Sequence, residues 1–185
     1  MAMIRLFNHT RHQDGPIRAV LSFAARAIGV REEVCVKVTR SRHASPEAYA
    51  DLVFPYRGFM KGTGDREGRN GDLLGKLPGY AVLSLPNFLI LREDWLDTAE
   101  WFMHCALHEM AHIRQYREGS YGGLRRKEME PFGRRRKRHS ARPCEIDAEN
   151  QEYDVIQDRR KNARRQDLVV ALALALESTE KGSGK

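Results

Sequence analysis

The chain has 185 residues, of which 41% are apolar and 31% charged, and its formal net charge is +7. This apolar share lies close to the globular norm and excludes a chain disordered throughout, while the length favours one domain with a real core. The cationic excess favours polyanions among the partners without singling one out.

The three cysteines, Cys35, Cys105 and Cys144, form no CxxC pair. That argues against a disulfide framework or a cysteine-based metal site, and fits a reducing compartment. The first residues carry no signal-peptide pattern, and the longest apolar stretch, Leu168 to Leu176, is about half a membrane span. The expectation is a soluble, cytoplasmic protein without membrane contact.

In chain order, Pro16 to Ile28 reads as a first helix. Pro16 suits a helix start, Ile17, Val20, Leu21, Ala24 and Ile28 recur at helical spacing, and Gly29 ends it. Val34 to Thr39 is rich in β-branched residues and reads as a strand. Residues 55 to 79 hold seven of the fifteen glycines and little periodicity, so a long surface loop is expected from Tyr56 to Gly79. Its segment Gly62 to Gly68 matches neither dinucleotide nor Walker spacing. Tyr80 to Leu85 and Phe88 to Leu91 read as strands around Pro86-Asn87.

A strong helix signal follows, with Asp97 and Glu100 spaced as a capping box and the helix reaching about Arg117. It is apolar nearly all round and should be buried, which makes its histidines conspicuous. Pro143 opens another helix, with Glu145, Ala148, Glu149, Tyr153 and Ile156 expected along one stripe. A charged stretch, Asp158 to Lys161, leads into a final apolar helix, Leu168 to Leu176, whose periodicity fits core closure and dimerisation equally. The domain is expected to span 1–177, with 178–185 a disordered tail.

The chemistry rests on His108-Glu109-Met110-Ala111-His112. On a helix, residues four apart lie about 40° apart in rotation and about 6 Å apart along the axis, so both imidazoles can converge on one ion. Glu109 projects from a neighbouring face and can reach a water at that ion as general base. A zinc ion makes hydroxide available near neutral pH, and Glu109 then carries the proton to the leaving amine. His104 is also four residues from His108, but Cys105 stands where that pair would need its base, so His104 is expected to support or pack.

A catalytic zinc keeps three protein ligands and one open position. Glu145 is the foremost third candidate, with His139 and the other acids behind it. Glu149 shares the Glu145 face and can accept a hydrogen bond from a ligand histidine. Asp147 is expected to face solvent or cap the helix. Tyr153 and His139 are the candidates for stabilising a developing oxyanion.

HExxH followed by Glu145-x-x-Ala148-Glu149 resembles the gluzincin metallopeptidases, with Glu149 where that family usually has Asp. The chain is similar in size to minimal gluzincins and to ImmA/IrrE-like domains, and the resemblance covers about Trp95 to Ile156. It implies an α+β, zincin-like fold. A small mixed sheet packs on the active-site helix, further helices lie N- and C-terminal, and one catalytic zinc acts on a peptide or protein substrate. It also implies that an edge strand, Tyr80 to Leu85, pairs with an extended peptide. Gln115 and Glu118 stand where a metzincin needs Gly and His.

Arg134, Arg135, Arg136, Lys137 and Arg138 form a dense cationic run that backbone phosphates attract without sequence preference. A solvated loop between the two metal-bearing helices is one reading. A second is nonspecific nucleic-acid contact, as in SprT-like proteases acting on DNA-bound proteins, whose third ligand is typically a histidine, and a third is recognition of an acidic protein substrate. A catalytically silent zincin-like nucleic-acid-binding module is one alternative function, and a regulator that cleaves a single partner such as a repressor is another.

Overall fold

The structure, a computed structural model, describes residues 3–31, 33–40, 79–85, 95–118 and 143–182. Its elements run β1 (Ile4–Asn8), α1 (Asp14–Ile28), β2 (Val34–Arg40), β3 (Gly79–Leu85), α2 (Trp95–Arg117), α3 (Pro143–Gln157) and α4 (Arg159–Gly182). The expected strand Phe88 to Leu91, most of the glycine-rich loop, His139 and the run Arg134 to Arg138 lie outside the described residues.

The three strands form one sheet in the order β1-β2-β3. Both pairings are parallel, with Ile4 opposite Val34 and Val34 opposite Gly79. The sheet is therefore parallel among the described residues rather than mixed. β1 and β2 are joined through α1, and parallel neighbours need such a crossover. Ile4, Val34, Val36 and Val38 are buried while Arg5 and Phe7 are exposed. One face of the sheet thus lies against the helical layer, as the two-residue strand period requires.

α1 buries the stripe that its spacing predicts, with Phe23 and Ala25 added. It begins two residues before Pro16, in whose first-turn position the missing N–H is no loss. Gly29 ends it in the left-handed region at φ 88°. Its N–H bonds to Arg26 O at 3.1 Å and that of Val30 to Ala25 O at 2.8 Å, the paired closure that a left-handed residue permits. Two cations complete this end. Arg114 Nη1 donates to Ile28 O at 3.1 Å and Lys161 Nζ to Ala27 O at 3.2 Å. Both groups complement the negative end of the helix dipole and tie α2 and α4 to α1.

α2 packs against α1, α3, α4 and β3. It starts at Trp95, so Asp97 lies inside its first turn rather than at a cap. The charged stretch after Asp158 belongs to one long α4: Asp158 Oδ1 accepts from the N–H groups of Arg160 at 3.0 Å and Lys161 at 3.2 Å. This is an N-cap, which frees the following cations to occupy helical positions. α4 runs on to Gly182, so residues 178–182 are helical where a disordered tail was expected. Leu168, Val169, Leu172, Ala173 and Leu176 are buried in the core, so this helix closes it. No described helix is long and apolar enough to cross a membrane.

Candidate metal centre

α2 has two chemically distinct sides. Phe102, Met103, Ala106, Leu107, Met110 and Ile113 enter the core. His104, His108, His112 and Gln115 form a second stripe at helical spacing, and each has a hydrogen bond to α3. Facing them, α3 buries Glu145 and Glu152.

The central group is His108, His112 and Glu145, whose ligand-type atoms lie within 4.8 Å of one another. His108 Nε2 is 3.2 Å and His112 Nε2 3.1 Å from the same oxygen, Glu145 Oε2. The two imidazole rings meet edge to face at a centroid separation of 4.7 Å. His108 Nδ1 is buried with no hydrogen-bond partner among the described residues. Two imidazole nitrogens and a carboxylate oxygen, gathered in a largely buried space, make a donor set suited to a divalent cation. The group can hold a metal ion, and the residues present fit zinc.

Glu109 is buried beside His108. Burial pushes His112 toward its neutral form, but bonds to Glu145 and Gln115 and the charge of Glu109 outweigh this, leaving its pKa above the ordinary value. Glu109 therefore acts electrostatically on the cluster. The Cys105 thiol is pushed up to about 12 by burial and by the charges of Glu109 and Glu152.

His104 Nδ1 lies 2.6 Å from Oε1 of buried Glu152. Glu149, expected to accept a hydrogen bond from a ligand histidine, is exposed on α3, and the acid bonded to His104 is Glu152. Tyr153, a candidate for stabilising an oxyanion, is 59% exposed on the same outward side. The physical reason is a rotation of the stripe. The face of α3 turned inward carries Glu145, Ala148, Glu152 and Val155. A seven-residue step returns within about 20° of the starting direction, whereas a four-residue step overshoots by about 40°.

Gln115 had no assigned role in the sequence reading. It is 1% exposed, its Oε1 is 2.9 Å from His112 Nδ1, and its Nε2 donates to Cys144 O at 2.9 Å and Asp147 Oδ2 at 2.7 Å. Its signal in the sequence is its position three residues beyond His112, on the histidine face. Asp147 faces this amide and that of Gln151 rather than solvent alone. Side-chain exposure rises from 6% at His112 through 17% at His108 to 40% at His104, so the centre opens toward the N-terminal half of α2. Comparison with protein families, with curated proteins and with solved structures returns no match for this chain.

Proposed function

We propose that the chain is a zinc-dependent metallopeptidase. The observation carrying this reading is the convergence of His108, His112 and Glu145 within one buried space, directly beside Glu109. In this reading the two histidines and Glu145 hold the ion. A bound zinc ion supplies Lewis acidity for activating water and polarising a carbonyl.

Glu109 accepts the proton of the attacking water and delivers it to the leaving amine. A buried carboxylate next to a cation suits that role, since a purely structural centre has no need of a base there. Glu145 and the histidines carry no proton in the reaction; their work is to hold position. The opening toward His104 is the side from which a substrate approaches. β3 is a candidate for pairing with an extended peptide, because it lies at an end of the described sheet and touches α2. The cationic run Arg134 to Arg138 is proposed as a nonspecific nucleic-acid contact that localises the enzyme.

The test is cleavage of an unstructured protein such as casein by the zinc-loaded wild type and by zinc-loaded Glu109→Gln. The wild type cleaves and the variant is slower by about 10²–10⁴-fold, the usual contribution of a positioned base. Equal cleavage by both overturns the role of Glu109. No cleavage by either, with zinc bound, points to a metal-holding module or to a protease restricted to one partner.

A further inference from the structure

We infer that Gln115 is a positioning residue that sets the tautomer of His112 and so turns the Nε2 lone pair of that ring toward the metal. The inference rests on the metal-centre reading. Its starting point is the amide nitrogen of Gln115, which faces two groups able only to accept, Cys144 O at 2.9 Å and the Asp147 carboxylate at 2.7 Å. An amide turned the other way would set its oxygen against both acceptors. The nitrogen is therefore fixed toward α3 and the oxygen toward His112.

That oxygen lies 2.9 Å from His112 Nδ1 and requires a proton on it. The neutral ring then carries its lone pair on Nε2, which lies 3.1 Å from Glu145 Oε2. Two acceptors facing each other at this distance repel; a divalent metal ion between them removes the repulsion, and without metal a second proton on Nε2 does the same. The alternative tautomer would donate from Nε2 to Glu145. It would cost the Nδ1 bond, or both bonds of the amide to α3 if Gln115 turned with it. Gln115 thus links three things at once: the orientation of a ligand ring, the position of its proton, and the seating of the start of α3, from which Glu145 projects. His108 has no such support among the described residues, since its Nδ1 is buried without a partner there.

The experiment has two readouts on the full chain. Ring nitrogen chemical shifts of His112 are recorded by NMR in zinc-free wild type, in alkaline buffer where the ring is neutral. Zinc affinity is then measured by competition with a chelator for wild type, Gln115→Met and Asp147→Ala, with the fold of each checked by circular dichroism. The expected results are a proton on Nδ1 in the wild type and zinc binding weakened about 10–100-fold in Gln115→Met, the usual cost of losing a support behind a ligand. Asp147→Ala, which leaves the Cys144 bond in place, shows a smaller loss. A proton on Nε2 in the wild type overturns the inference, as does a folded Gln115→Met that binds zinc as the wild type does. Should Gln115→Met not fold, the wild-type shifts and Asp147→Ala still decide. A wild type with the proton on Nδ1 but no zinc binding overturns the metal-centre reading while supporting the hold of Gln115 on the ring.

Discussion

The two sides of α2 do opposite work. The side carrying Phe102, Met103, Leu107, Met110 and Ile113 is buried among aliphatic neighbours. Each such side chain contributes about 1.5–3 kcal/mol by leaving water. The side carrying His104, His108, His112 and Gln115 meets the acids of α3. Burying ionisable groups there is costly unless each finds a partner, and a buried ion pair is weak evidence of stability. The difference teaches that the packed core and the candidate metal centre occupy separate sides of one helix, and that they should respond separately to substitution.

Leu172→Ala offers the largest break on the apolar side. Leu172 is fully buried on α4, and its truncation should lower unfolding free energy by about 2–5 kcal/mol. Denaturant unfolding measures this, while zinc affinity of the remaining folded protein should not change. A matching loss of affinity would show that the two stripes are not separable.

Zinc sharpens the comparison from the other side. At free zinc about a hundredfold above its dissociation constant, binding adds about 2.7 kcal/mol and should raise the melting temperature by about 5–11 °C. Thermal denaturation of His112→Ala should show no such rise, whereas Leu172→Ala should show it in full from a lower starting point.

A smaller effect is expected at the rim. His104→Ala leaves Glu152 buried without its partner and should cost about 1–3 kcal/mol. The bond to Glu152 raises the His104 pKa, against the opposing effect of burial. A group whose folded pKa is raised stabilises the fold fully below its unfolded value. That contribution fades as pH rises through the folded value. The stability gap between wild type and His104→Ala should therefore be widest in mildly acidic buffer and narrow as pH climbs past the folded pKa of His104. Chemical denaturation across that range checks it, and a gap that widens with pH contradicts the assignment.

Much of this arrangement is legible in the sequence because it is local. The α1 stripe, its Gly29 stop and the i, i+4 pair His108 and His112 are set by helical spacing alone. Glu145 is legible because two helical histidines that could hold a metal ion call for a third ligand, and it is an acid near the start of the next helix. Glu152 and Gln115 are not, because which side of α3 faces α2 is set by packing between helices far apart in sequence. A rotation smaller than one residue's step moves Glu149 and Tyr153 out to solvent and brings Glu152 in. β1 escapes for the same reason: Ile4 to Asn8 is a short segment that stands out as a strand only beside β2. The helical character of residues 178–182 follows from the long run of α4 behind its Asp158 cap, which charge composition hid.

The most direct measurement is an equilibrium zinc titration of the metal-free protein, with bound metal counted per chain, for wild type, Glu109→Gln and the separate His108→Ala, His112→Ala and Glu145→Ala variants. One ion per chain in wild type and Glu109→Gln, with stoichiometric binding lost in all three ligand variants, is the predicted result. A wild type that binds none, or ligand variants that bind as tightly as it does, would contradict a metal centre at His108, His112 and Glu145.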